Sequence, residues 1–127
     1  MKNRTKEFSK RIIRLCRKLP DNREGRLIGN QLFRSGTSVA ANYRAACRSR
    51  SIAEFISKLN IVEEEAAETL FWREIIAEME IIDKSLLKNL MKENDELIAI
   101  IVSSIKTAKQ NRNCNKNRKS EIVNPKS

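Results

Sequence analysis

Arg34-Ser-Gly-Thr-Ser-Val-Ala-Ala-Asn-Tyr-Arg-Ala-Ala-Cys-Arg48 decides how this chain folds. Small and polar residues fill the middle of a segment whose flanks read as helix. At about 100° per residue it extends an upstream helix with two opposed faces. Arg23, Arg26, Arg34, Arg44 and Arg48 fall within a sector of about 80°, while Ile28, Leu32, Ser35, Val39, Asn42, Tyr43 and Ala46 centre on the far side. One face is predicted to pack and the other to stay charged. The apolar face is also unusually polar, because Gln31, Ser35, Ser38 and Asn42 stand where a helix core would normally carry Leu.

Working outward, each flank supplies another helix. Phe8, Ile12, Leu15 and Leu19 recur at helical spacing and predict a first helix over about 3–19, ended by Pro20. Asp21 with Glu24 has the spacing of a capping box and starts the second helix, about 22–48. Gly36 lies within small side chains and is read as a site of close helix approach rather than a hinge. Ser51 with Glu54 is a second capping box, opening a third helix to about Ile82. Asp83 caps a fourth, about 84–110. Short connections make neighbours antiparallel, so the prediction is an all-α, up-down-up-down four-helix bundle over 1–110. Residues 111–127 are polar, basic and without apolar period, which predicts a disordered basic tail.

Length and composition agree with one domain. The chain has 127 residues, 40% hydrophobic and 33% charged, with only 3 Gly and 2 Pro to interrupt helices. Net charge is +10 and unevenly spread: +11 over 1–60, −7 over 61–100 and +6 over 101–127. Such segregation predicts surfaces of opposite sign, and the basic ones imply a polyanion.

Several chemistries lack their residues. With no His, serine or cysteine nucleophiles have no customary base and most zinc sites lose a ligand. Cys16, Cys47 and Cys114 stand at no metal spacing and read as reduced thiols of a cytoplasmic protein. Glu63, Glu64 and Glu65 are consecutive on a helix, so they diverge and cannot converge on one atom. No apolar run approaches the roughly 20 residues that span a bilayer. The expectation is therefore a protein with no catalytic centre, cofactor, metal or membrane partner.

Three residue sets remain. Lys10, Arg14, Lys18, Arg26, Arg34, Arg44, Arg48 and Arg50 form the candidate nucleic-acid surface, since arginine forks suit phosphate oxygens. Few aromatics lie nearby, so contacts would go to the phosphate backbone with little sequence preference. Gln31, Ser35, Ser38 and Asn42, with Glu63 as the candidate partner from the third helix, form a polar cluster expected to fix helix register. Phe71, Trp72, Ile75, Ile76 and Met79 spread apolar surface round the third helix beyond what one core covers, which predicts an interface between subunits.

The chain resembles the bacterial four-helix-bundle proteins encoded by reading frames within intervening sequences of 23S ribosomal RNA genes. The resemblance is carried by Gln31–Arg44, by Arg48-Ser-Arg-Ser-Ile-Ala-Glu-Phe55, by Leu59–Trp72 with its Glu-Glu-Glu-Ala-Ala-Glu-Thr-Leu-Phe-Trp, and by Ser103–Lys109. It implies a bundle that assembles as a homopentameric barrel, and a relation to basic accessory proteins of diversity-generating retroelements. The predicted function is a homo-oligomer that binds nucleic acid nonspecifically, RNA favoured over DNA by that genomic setting. The alternative is a scaffold that docks another protein.

Overall fold

The computed structural model describes residues 1–123, with side chains described through 113. Its elements are α1 (Lys2–Arg17), α2 (Arg23–Cys47), α3 (Ile52–Glu78) and α4 (Lys84–Val123), with no strand among the described residues. α2 packs on α1 and α3, α3 packs on α4, and α1 meets α4 along a thinner seam; among the described residues the backbones of the diagonal pairs stand further apart. Hydrogen bonds fix the antiparallel order. Ser9 and Cys16, ascending α1, donate to the carbonyls of Gly36 and Gly29, descending α2. Asn94 and Leu90 on α4 meet Ala66 and Arg73 on α3 in the same reversed sense.

The core is the set of apolar stripes. Phe8, Ile12, Leu32, Val39, Leu59, Val62, Ile76, Leu87, Leu97 and Ile101 are essentially inaccessible, and each large side chain contributes roughly 1.5–3 kcal/mol by leaving water. Gly36 is a close-approach site: a Cβ there would stand 2.5 Å from Ile12 Cγ2. Gly25 is tighter still, since its Cβ would stand 1.9 Å from the Pro20 carbonyl oxygen where the chain turns back into α2.

The helix ends show what the sequence reading mistook. Asn22, not Asp21, caps α2, its side chain accepting from the Gly25 N–H at 2.8 Å. Asp21 pairs with Arg26 instead. Ser51 caps α3 as expected, accepting from the Glu54 N–H at 3.1 Å, while the Glu54 carboxylate accepts from the Arg50 N–H. α3 stops at Glu78 rather than near Ile82, because Glu80 turns left-handed at φ 54° and the Ile81 N–H closes back on the Ile76 carbonyl. That closure resembles the usual glycine helix stop, but no glycine announces it.

α4 departs most from expectation. It continues through the segment read as a disordered tail and ends at Val123. Asn favours helix only weakly, but Lys and Arg favour it well, neither Gly nor Pro occurs between Lys84 and Asn124, and Pro125 is the first breaker. Residues 124–127 of the expected tail lie outside the described residues.

Candidate nucleic-acid interface

The basic residues of α1 and α2 divide according to their neighbours. Arg34 is not free. It reaches across to α3, where Glu65 accepts from Nη1 at 3.1 Å and Glu68 accepts from Nη2. Glu65 and Glu68 are one turn apart, so they form a clasp around the guanidinium. Arg34 therefore belongs to the α2–α3 seam, because its place at the edge of the charged sector is the edge nearest α3. Arg4 is held likewise on α4, by Glu93 at 2.7 Å and Glu96 at 2.5 Å. In both clasps the arginine holds a glutamate (Glu68, Glu93) below the usual carboxylate range, by direct hydrogen bond first.

The remaining cations face solvent. Lys10 pairs with Glu7 at 3.1 Å and Arg26 with Asp21 at 2.9 Å, both pairs exposed and hence weak. Arg14, Lys18, Arg44, Arg48 and Arg50 are exposed and make no ion pair among the described residues. Two open grooves gather some of them. One, of about 400 Å³, runs between the start of α1 and the later part of α2, lined by Lys2, Thr5, Lys6, Ala40, Ala41 and Arg44. The other, of about 250 Å³, lies between α1 and α4 and brings together Arg11, Arg14 and Lys18 over Leu86, Asn89 and Leu90. Each presents three cations, no carboxylate and an apolar or small-residue floor, so an anionic chain could approach closely.

The sequence reading placed Lys6 on the basic face of the first helix, whereas Lys2 and Arg11 were absent from it. Their signal was available: Lys2 and Lys6 are one turn apart on α1, but only the fold shows that α2 offers alanines opposite them. Arg50 stands in the α2–α3 turn, beside a cavity of about 470 Å³ with Cys47, Phe55 and Ala108. Phe33 is exposed and Tyr43 half-buried, so aromatic platforms are few.

The polar cluster is real in part. Ser35 is fully buried, donates to the Leu32 carbonyl and accepts from the Thr69 hydroxyl at 3.0 Å. Thr69, not Glu63, is thus the partner from α3. Glu63 lies about 160° round α3 from Glu65 and makes no hydrogen bond to the cluster. Ser38 and Asn42 are half-buried and bond back to their own helix, at the carbonyls of Arg34 and Ser38. Gln31 is exposed. Ser35, Ser38 and Asn42 thus spend their donors within α2, and Ser35 also bonds across the seam to Thr69.

The predicted subunit surface also divides. Ile76 is completely buried in the core and unavailable to a partner. Phe71 and Met79 are 50% and 66% exposed, and Trp72 and Ile75 half-buried. The Phe71 and Trp72 rings meet edge to face at 4.9 Å, and Trp72 Nε1–H donates to Glu68. Since Ser35 pairs with Thr69, antiparallel register sets Leu27, 56% exposed, level with this patch.

The Cys16 thiol is pushed up to about 11 by burial, which keeps it protonated at neutral pH. Among the described residues no cluster of ligating side chains suits a metal, and no helix is long and apolar enough to cross a membrane.

Comparison with known proteins places this arrangement. The family model of the 23S rRNA-intervening sequence protein matches residues 1–103. A crystal structure of a protein with unknown function from the S23 ribosomal protein family of Bacteroides thetaiotaomicron VPI-5482 superposes with a TM-score of 0.78 at 35% identity, covering 83% of this chain and 97% of that one. No curated protein matches. The chain belongs to the 23S rRNA-intervening sequence protein family.

Proposed function

We propose that this member of the 23S rRNA-intervening sequence protein family is a non-enzymatic, homo-oligomeric bundle that binds nucleic acid through phosphate contacts, with RNA the favoured form. The observation that carries the reading is the set of exposed cations on α1, α2 and the α2–α3 turn that make no ion pair among the described residues: Arg14, Lys18, Arg44, Arg48 and Arg50. Lys2, Lys6 and Arg11 join them across the two grooves. Arg34 leaves the set, being committed to Glu65 and Glu68. Contacts of this kind are insensitive to sequence and steeply dependent on salt.

Titration of labelled RNA and DNA against salt tests the reading. Binding should weaken steeply as salt rises. Replacing Arg44, Arg48 and Arg50 by Glu should abolish it while leaving helicity and oligomeric state intact. Absence of binding to either polymer at low salt would refute the reading.

A second reading has its own support. The exposed Leu27, Phe71 and Met79 around half-buried Trp72 and Ile75 form an apolar patch suited to another copy of the chain. A homopentamer is the assembly the family resemblance implies. Light scattering that finds a strict monomer would refute that use of the patch and leave it to a different protein, which is the scaffold reading.

A further inference from the structure

α1 carries its cations in single file. Lys2, Lys6, Lys10, Arg14 and Lys18 recur at every fourth residue, and all of them are exposed. Lys18 keeps helical geometry as the C-cap of α1, so the row spans about 24 Å along the axis in steps of about 6 Å. A row of this spacing does not run parallel to its helix. It drifts about 40° round the axis at each step and inclines to it by about 26°.

The fold gives that drift a direction. Ser9 and Cys16 face α2, donating to the Gly36 and Gly29 carbonyls, while Arg4 faces α4, held by Glu93 and Glu96. Lys2 and Lys6 line the α1–α2 groove opposite Ala40 and Ala41. Arg14 and Lys18 line the α1–α4 groove over Leu86 and Leu90. Lys10, midway, stands about 160° round α1 from Ile12, whose side chain is completely buried. The row thus climbs out of one groove, crosses the exposed back of α1 and descends into the other. Each end gains a further cation, Arg44 from α2 in the first groove and Arg11 in the second.

Like charges one turn apart repel, and Glu7 is the one acidic residue of α1. It accepts from Lys10 at 3.1 Å. That hydrogen bond, more than any other influence, holds the Glu7 carboxyl below its usual range, and Arg14 and Lys6 add to the pull. The rest of the row suits an anionic chain better than a single acidic group. A step of about 6 Å is comparable to that between successive phosphates of one strand. A duplex is stiff far beyond this span, with a persistence length of about 50 nm for DNA, so it would rest on the crest at Lys10 and miss both grooves. A single strand can bend over the crest and enter them.

We propose that this diagonal row is the track of a single-stranded nucleic acid, whose backbone enters between α1 and α2 beside Lys2 and Lys6, crosses α1 at Lys10 and leaves between α1 and α4 beside Arg14 and Lys18. The track rests on the nucleic-acid reading above and adds to it the form of the ligand and its path.

Two triple variants of the full chain, with equal loss of charge, test it. Lys6→Gln/Lys10→Gln/Arg14→Gln should weaken binding of a labelled single-stranded RNA by about tenfold or more near physiological salt and flatten its log–log salt dependence by about 2. Lys84→Gln/Lys88→Gln/Lys92→Gln should change both far less, because Lys84 and Lys88 line a cavity between α4 and α3, away from α1. Glu7→Gln frees Lys10 and should tighten binding by about threefold, the scale of one exposed ion pair. Glu64→Gln makes the same charge change at an exposed site on α3 and should leave affinity nearly unchanged. Circular dichroism checks that the variants stay helical; if the first triple does not, the Glu7→Gln gain decides, since loss of folding cannot imitate it. A duplex of equal length should bind more weakly than the single strand. Equal losses in the two triple variants, or equal effects of the two glutamate changes, would mean that affinity follows net charge and would overturn the track while the broader reading stands. A duplex bound as tightly as the single strand would overturn it too. Absence of wild-type binding would overturn both.

Discussion

The α2–α3 seam and the α3–α4 seam both contain buried polar groups, and they handle them in opposite ways. In the first, the Ser35 hydroxyl donates to the Leu32 carbonyl and can accept from Thr69, whose one proton has the Glu65 carbonyl as its other acceptor, and Arg34 lies at the rim between two glutamates. In the second, Arg73 is completely buried and spends one donor on the Leu90 carbonyl, while its Nε and Nη2 find no partner. Asn94, also completely buried, donates to the Ala66 carbonyl and leaves its Oδ1 unpaired. The same α3 helix thus has one side whose polarity is satisfied locally and another that holds a cation with no ion-pair partner among the described residues. Neutral hydroxyl pairs specify register at small cost, whereas a buried charge with open valences opposes folding.

Exchanging Arg73 for a side chain of similar length without charge breaks this contrast most sharply. Burial lowers its pKa to about 10, opposed by the more distant Asp95 and Glu74, so it stays charged at neutral pH. Arg73→Met keeps the volume and removes the desolvated cation. Stability should rise by about 1–4 kcal/mol, read as a higher urea midpoint at unchanged m value. A loss of stability would mean that the guanidinium has found compensation in solution, and that the two seams are alike.

Two smaller changes sharpen the comparison from other sides. Ser35→Ala removes a hydroxyl from the satisfied seam while leaving the Thr69 hydroxyl the Glu65 carbonyl, 2.8 Å away, as its acceptor. It should destabilise by about 1 kcal/mol, and a double-mutant cycle with Thr69→Val should show that the two costs do not add. At the turn closing the α3–α4 seam, Glu80 holds a left-handed conformation at φ 54°. Glu80→Gly relieves strain worth about 1 kcal/mol, partly offset by the entropy of the glycine unfolded state. A thermal midpoint that falls instead would show that the turn tolerates its glutamate.

Much of this was legible in residue spacing. Four apolar stripes, Pro20, the Ser51 cap and Asp83, which accepts from the Ser85 N–H at 3.1 Å, gave the number and order of helices. Gly36 was readable as a close contact because small neighbours surround it. What escaped depended on relative rotation of helices. Arg34 lies in the charged sector of α2, and only the placement of α3 puts Glu65 and Glu68 within reach. Ile76 is apolar like Ile75, yet a 100° step separates the core from the surface. Arg73 gave no signal at all, since a single arginine among glutamates reads as a surface residue. The length of α4 was misjudged because lack of apolar period was taken as lack of helix, although no breaker intervenes before Pro125.

The weakest effect expected belongs to the clasps. Arg34 is 49% exposed and its bonds with Glu65 and Glu68 compete with water, so Arg34→Gln should move stability little. Its signature is pH dependence. The folded state holds Glu68 below its ordinary pKa, first through the Arg34 hydrogen bond, and Glu93 likewise through Arg4. A carboxylate whose folded pKa is depressed contributes stability above its unfolded value, about 4.3, and loses it as pH falls through the folded value. The wild type should therefore lose stability on acidification below about pH 4.3 more steeply than Arg34→Gln, with the two converging once the carboxylates are protonated. Parallel pH profiles would mean the clasp exerts no net pull on Glu68. The α2–α3 seam would then rest on Ser35, Thr69 and apolar packing alone.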